Sequence, residues 1–469
     1  MSRPSRLARA RPTRLAFAAA LIAICSAVLA DEAPPTSAEA RLEQRVEDLA
    51  RELKAVESEL ARLKAERASA PSPAVAESAP APAPAAPAAT SPRLEGVSLW
   101  GYGEAYLTHP TGVSGQTTAD LARAVFGIGY TFDERTTFNS EFEVEHAVAS
   151  SEDPGEFEVE QFFVDHRFAP WGSLRAGLFL MPFGLLNEHH EPTNFYGVTR
   201  NFVETLIIPS TWREGGIEFN ARGESGLALS VGLTTGPNLS GWEFSPEFPL
   251  YRNALELQNS GVAPLQASHQ ELALANASHP AWHAALNYSG VPGLIVGGAI
   301  FSGDAARVPA PPAGTPRVML WEGHARWQPG GFDLSAVYAR GSISNTDALN
   351  LANADATNPI PSAFYGYYLQ AAYAQGLGLG RYRLAPFVRY EYYDLGSSYA
   401  GTTPAIPPGL VPLSDVPGDV GLWPRGYDRV FTVGGNFYVT PNVVLKLDYQ
   451  RFDVNSDFTR LDLGLGLAF

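Results

Sequence analysis

From residue 97 to the end, the chain is a series of period-two runs whose separations alternate between very short and long. Phe138, Ser140, Phe142 and Val144 alternate with Asn139, Glu141, Glu143 and Glu145. Leu227, Leu229, Val231 and Leu233 alternate with Ala228, Ser230, Gly232 and Thr234. Val443, Leu445, Leu447 and Tyr449 alternate with Val444, Lys446, Asp448 and Gln450. Successive strand residues point to opposite faces, so each run has one apolar and one polar face. Sixteen candidate strands start near residues 97, 119, 135, 157, 173, 214, 227, 281, 294, 317, 332, 364, 381, 428, 443 and 459. Tight gaps fall at 132–134, 169–172, 224–226, 290–293, 329–331, 377–380 and 440–442, and long ones at 181–213, 237–280, 303–316, 343–363 and 395–427. Tight turns at one rim and long loops at the other are the pattern of a membrane barrel, and a soluble sandwich has no reason to keep that parity. The predicted fold is all-β: a sixteen-stranded antiparallel transmembrane β-barrel preceded by a helical coiled coil. An even strand count puts both barrel ends at the short-turn rim, on the periplasmic side.

Composition leaves the sandwich open and the connections decide against it. Charged residues are only 17%, with 44 Gly, 19 Tyr and 25 Phe, which suits many strands of either kind. Past the N-terminus no run of about 18 apolar residues reads as a spanning helix. The single cysteine, Cys25, excludes a disulfide scaffold and cysteine-based metal sites. The formal net charge is −16, and loss of residues 1–30 takes five arginines with it and leaves −21, which argues against nucleic acid as a partner.

Residues 1–30 read as a signal peptide, with Arg3, Arg6, Arg9, Arg11 and Arg14 ahead of an apolar core and a small residue, Ala30, at the cleavage point. Residues 31–68 carry a heptad seam, Leu42, Val46, Leu49, Leu53, Val56, Leu60 and Leu63, spaced alternately four and three. The strict alternation favours a coiled coil in the periplasm over a lone amphipathic helix, and a coiled coil needs partner copies; a homotrimer is expected. Residues 69–96, mostly Ala, Pro and Ser, read as an extended linker, and 97–469 as the barrel.

The last run places Leu461, Leu463, Leu465, Leu467 and the terminal Phe469 on one face. Leu465, Leu467 and Phe469 are the candidate assembly signal, to be read by the barrel-assembly machinery. Tyr365, Tyr367 and Tyr373, and Tyr390 and Tyr392, share faces of two runs, as girdle aromatics or as core. The barrel is expected in the outer membrane of a Gram-negative bacterium, among lipid and lipopolysaccharide.

No G-x-S-x-G elbow, P-loop or H-E-x-x-H occurs, so no enzyme, catalytic residue or cofactor is expected. His189 and His190, flanked by Glu188 and Glu191, are the one compact group with metal-ligand chemistry. Adjacent residues of an extended chain point apart, so a polar loop is the preferred reading and no metal is expected. That loop, 181–213, is unusually apolar, with Pro182, Phe183, Leu185, Leu186, Phe195, Val203, Leu206, Ile207 and Ile208. Apolar loop residues need burial, inside the barrel as a constriction, or at a trimer interface or over a rim. The constriction is favoured, with Glu188, His189, His190, Glu191, Arg200 and Glu204 as its polar residues. Expected pore-lining residues are the acids Glu141, Glu143, Glu145, Glu218 and Glu391 and the bases Arg175, Arg213, Arg383 and Arg389. Arginines on one wall facing acids on the other would set a transverse field. From residue 93 onward 21 Lys plus Arg stand against 38 Asp plus Glu, which favours cations or neutral solutes.

The segment Leu174-Arg175-Ala176-Gly177-Leu178-Phe179-Leu180-Met181-Pro182-Phe183-Gly184 resembles the phosphate- and polyphosphate-selective porin family, where an R-x-G strand runs into a P-F-G turn. Asn187 to Pro192 and Ile208 to Glu214 extend the likeness, whose specific motifs lie within 174–216. The resemblance implies a sixteen-stranded trimeric barrel through which small solutes diffuse passively. Its anion-specific members carry an arginine ladder and a lysine cluster; this barrel has one lysine, Lys446, so phosphate selectivity is not carried over. The coiled coil is similar to that of dicarboxylate-channel porins. A structural tether to the cell wall, or a gated or specific channel for an organic acid or a metal complex, are the alternatives.

Overall fold

The computed structural model describes residues 51, 54 and 96–469 apart from 113–116, 148–154, 245–262, 307–313, 354–357 and 403–425. The expected signal peptide, coiled coil and linker lie outside the described residues, save for Arg51, Lys54 and Gly96. The barrel falls within a compact unit, Pro92–Phe469.

The strands are β1 (Val97–Pro110), β2 (Thr118–Thr131), β3 (Thr136–Glu145), β4 (Phe157–Ala169), β5 (Gly172–Leu180), β6 (Arg213–Arg222), β7 (Leu227–Thr234), β8 (Ala281–Tyr288) and β9 (Leu294–Asp304). They continue as β10 (Arg317–Trp327), β11 (Asp333–Ser344), β12 (Pro361–Ala372), β13 (Leu377–Leu379), β14 (Tyr382–Tyr399), β15 (Tyr427–Thr440), β16 (Val443–Phe452) and β17 (Arg460–Ala468). Each pairs antiparallel with its chain neighbour, and β1 pairs with both β2 and β17, which closes the sheet. The three-residue β13 takes over from β12 opposite β14, with Leu377 facing Leu384, so the closed wall has sixteen staves. Every expected start lies within three residues of an observed one, the widest offset being β12, which begins at Pro361. Arg213, expected in the loop, is the first residue of β6.

The parity is complete. Seven connections at one rim are short, and the β1–β2, β3–β4, β5–β6, β7–β8, β9–β10, β11–β12, β14–β15 and β16–β17 connections all lie at the other. The short turns need left-handed backbone: Gly226 has φ +87°, and a Cβ there would lie 2.4 Å from the Gly290 backbone. Both barrel ends, Val97 and Ala468, are at the short-turn rim.

Side chains divide as the period dictates. Leu445, Leu447 and Tyr449 of β16 and Leu461, Leu463 and Leu465 of β17 are exposed on the outer face, while Lys446, Asp448, Gln450, Arg460 and Asp462 are buried facing inward. Outward Tyr338, Tyr365, Tyr392 and Tyr367 form a contact series across β11, β12 and β14, so these tyrosines belong to the outer surface. Among the described residues no helix is long and apolar enough to cross a membrane. The packed core lies inside the tube, where two long loops meet the inward side chains.

Candidate functional site

The β5–β6 loop, residues 181–212, folds into the bore. Its neck is closed by Met181 N–H donating to Trp212 O at 2.8 Å. Asn187 clamps the same point, donating Nδ2 to Met181 O (2.7 Å) and Trp212 O (2.8 Å) while its Oδ1 accepts from Trp212 N–H (2.7 Å). The Pro182-Phe183-Gly184 turn has a local cause. Gly184 sits at φ +68°, and a Cβ there would meet Glu204 Oε1 at 2.3 Å.

Glu204 organises the interior of the loop. Its Oε1 accepts from the N–H groups of Leu185 (2.6 Å) and Leu186 (2.8 Å), and its Oε2 accepts from Asn201 Nδ2 (2.8 Å) and from the Tyr368 hydroxyl of β12 (3.0 Å). Burial pushes this carboxyl above its ordinary value, more strongly than the four donors pull it down. Burial, then the Arg123 charge, lowers Arg200, which donates to Thr211 Oγ1 at 3.1 Å.

The loop touches wall on all sides. Phe202 N–H donates to Glu391 of β14 (2.6 Å), Gly197 N–H to Asn436 of β15 (3.2 Å) and Val198 N–H to Asp448 of β16 (2.5 Å). Across the bore, Arg123 of β2 donates to His190 O (2.6 Å), the Tyr102 hydroxyl of β1 lies 2.6 Å from His190 Nε2, and Glu160 of β4 lies 3.6 Å from it. β4 and β12 stand eight staves apart in a ring of sixteen, so the loop spans the full diameter. Phe183, Phe195, Phe202, Val203, Leu206, Ile207 and Ile208 are buried against the inner wall rather than over a rim. A second insertion escapes the sequence reading. In the β7–β8 connection, Leu239, Trp242, Ala263 and Leu265 pack on inward Phe301, Val318, Leu320 and Val337.

Glu141, Glu143, Glu218, Glu391, Arg213 and Arg389 are buried, and opposite charges lie side by side. Arg175 pairs with Glu218 (3.3 Å), Arg389 with Glu391 (2.9 Å) and Arg213 with Glu158 and Glu271 (3.1 Å to the latter). In the low dielectric of a packed bore a charge needs a neighbour of opposite sign; Arg389 takes one from its own stave, Arg175 from the adjacent one, and Arg213 from β4, two staves away, and from the β7–β8 connection. Arg383 lies at the short-turn rim over the Tyr438 ring, 3.8 Å from its centre. Glu145 ends β3 at the long-loop rim. In the loop, His189 and Glu188 are exposed, Glu191 accepts from Asn194, and His190 is buried. His190 lies among acids, with Glu141 and Glu160. A narrow cavity lined by Leu185, Asn194, Tyr196, Arg326, Asp333 and Gln370 lies between the loop and the β10–β14 wall.

Glu158, Glu160, Glu104, Arg123 and Tyr102 were missed. The β3–β4 ladder passes from Glu141 opposite Gln161 to Phe142 opposite Val159, leaving Glu160 as a bulge. Counted by twos from outward Phe162 and Val164, Glu158 and Glu160 fall on the outer face; the bulge turns them inward.

No family model matches the sequence. An uncharacterized protein of Aquifex aeolicus (strain VF5) is 31% identical over 373 residues, 76% of each chain. Among solved structures, Salmonella typhi OmpF in complex with daunomycin superposes with a TM-score of 0.47 at 15% identity, over 80% of this chain and 97% of that one. The anion-selective porin from Comamonas acidovorans gives 0.46 at 10% identity, over 80% and 99%.

Proposed function

We propose, for a chain that belongs to the same family as that Aquifex aeolicus protein, the role of an outer-membrane channel through which small polar or ionic solutes diffuse passively. One observation carries the reading: a closed antiparallel ring with leucine, phenylalanine and tyrosine on its outside and carboxylates, arginines and amides on its inside. Closure satisfies every stave's ladder on both edges, the condition for backbone to cross lipid. An outer apolar band this extensive far exceeds the few hundred Å² that soluble monomers expose. The rate-limiting element of this reading is the 181–212 loop.

Cations are the favoured charge class. Inward Glu104, Glu141, Glu143, Glu145, Glu158 and Glu160 outnumber Arg123, Arg200 and Arg213, the arginines that act on them. Lys446, the one barrel lysine, holds its ammonium 3.5 Å from the Phe195 ring centre instead of forming part of a basic ladder, which speaks against phosphate selectivity. A homotrimer in lipid and lipopolysaccharide, with Leu465, Leu467 and Phe469 as the signal read by the barrel-assembly machinery, belongs to the same proposal. The full-diameter span of the loop favours a second reading, a channel that conducts when the loop is displaced.

The experiment is reversal potential across a salt gradient with the purified full chain in a planar bilayer. Conductance in steps of three with a potential of cation sign is expected. Silence at every voltage, in the wild-type chain and in Glu204→Leu alike, would overturn both readings.

A further inference from the structure

We propose that the junction of β3, β4 and the 181–212 loop is a site for a divalent transition-metal cation of the zinc or manganese class, held by Glu160, Glu141 and His190 with Glu143 beside them. One carboxylate oxygen each from Glu141 and Glu160 and a ring nitrogen of His190 all lie within 4.8 Å of one another, and so do oxygens of Glu143, Glu158 and Glu160. Glu160 is shared by both groups and is fully buried.

Three features beyond the clustering point to a ligand. The first is the pair of unanswered oxygens. Glu143 Oε1 and Glu160 Oε1 are buried with no hydrogen-bond partner, in side chains 2% and 0% exposed. A bare buried carboxylate oxygen costs several kcal/mol unless a proton or a cation answers it. The second is the histidine tautomer. His190 Nδ1 lies 2.9 Å from Asn187 O, and a carbonyl only accepts, so Nδ1 is the donor and Nε2, on the side of the acids, is the nitrogen left to ligate. A ligating histidine is held in this way, its far nitrogen donating to a backbone carbonyl. Tyr102 stands ready to adjust, its hydroxyl 2.6 Å from His190 Nε2 and 3.0 Å from Glu160 Oε2, so it can donate to Glu160 when a cation takes the imidazole. The third is charge. Arg123 is already engaged: its Nε donates to Glu104 at 2.8 Å, and its Nη2 donates to His190 O. Arg200 and Arg213 also act on these acids, yet Glu104, Glu141, Glu143, Glu145, Glu158 and Glu160 outnumber the three arginines, a negative surplus that a divalent ion would offset.

The donor set selects the ion. Calcium prefers six to eight oxygens, whereas one imidazole with two or three carboxylates suits zinc or manganese. Bonds of about 2.0–2.2 Å put ligand atoms roughly 3–4 Å apart, so the side chains close by about an ångström on binding. A cation there would tie the loop, through His190, to the wall, through Glu160 and Glu141.

The test uses the full chain in detergent, titrated calorimetrically with Zn²⁺ and with Mn²⁺. One equivalent per chain is expected, weakened roughly tenfold or more by Glu160→Gln and by His190→Gln, and unchanged by Glu134→Gln in the β2–β3 turn. Crystals soaked in the same metal give an independent reading if a variant does not fold. An anomalous peak between Glu141, Glu160 and His190 supports the site. No peak there at saturating metal, or undiminished binding by a folded Glu160→Gln chain, overturns it and leaves a proton shared between Glu143 and Glu160 as the reason for their approach.

Discussion

Replacing Glu204 by leucine tests whether the loop is held in the bore by the bonds described. The substitution keeps the volume filled and removes all four acceptor contacts, so Leu185 N–H, Leu186 N–H, Asn201 Nδ2 and the Tyr368 hydroxyl lose their partner together. Each buried donor left unsatisfied costs about 1–3 kcal/mol, so the packed loop loses at least about 4 kcal/mol even at the lower end of that range. Since about 1.4 kcal/mol is a factor of ten, the fraction of time the loop spends released rises roughly a thousandfold. The readout is a buried thiol. Val198, 2% exposed against the inner wall, is changed to cysteine in a chain whose sole native cysteine, Cys25, is serine. Labelling by a small maleimide then tracks the released fraction, provided closing outpaces reaction. A rise of two to three orders of magnitude in labelling rate is expected, with a parallel rise in conductance. A rate within a factor of a few of the parent, in a chain that retains the barrel's circular dichroism, refutes the claim that Glu204 holds the loop.

Two further outcomes follow from the same geometry. The Glu204 carboxyl is raised by burial in the packed loop and returns to its ordinary value on release, so the packed state binds the proton more tightly. Linkage then makes packing firmest below the ordinary carboxylate value and weaker as pH rises through the raised one; opening events counted between about pH 4 and pH 8 increase with pH, and a flat or falling count contradicts this. At the seam, Gly101 N–H donates to Phe469 O (3.1 Å), Phe469 N–H donates to Gly101 O (2.8 Å), and a Cβ on Gly101 would meet the Phe469 ring at 2.6 Å and Val125 O at 2.8 Å. Gly101→Ala therefore hinders closure of β1 on β17, seen as a lower yield of folded barrel in lipid vesicles; a yield equal to that of the parent chain would show that the seam has room.

The barrel was legible because its code is local. A strand in lipid must alternate, a turn must be tight, and a loop must break the alternation, and each constraint is written in residues a few positions apart. Thus the stave boundaries, the outward leucines of β17 and the rim holding the chain ends were all readable. Phe183, Phe202 and Ile207 also announced that their loop needed burial, because apolar residues in a long connection have no other use.

Pairing of charges was not legible. Arg389 and Glu391 follow the same inward parity as Arg175 and Glu218, yet parity does not reveal that each pair sits within 3.3 Å. Nor does the sequence count the bulge at Glu160, which depends on how β3 and β4 twist against each other and reverses the facing of two carboxylates.

The sequence by itself determined the class of object, a closed ring of sixteen staves with an apolar outer skin, because period and gap length are properties of one strand and its neighbour. Only the tertiary structure decided what fills the ring. Glu204 meets Tyr368 over 164 positions of chain, and Val198 meets Asp448 over 250. Contacts at such separations follow from where the closed wall brings its staves, and closure is a property of the whole sheet that no single strand encodes.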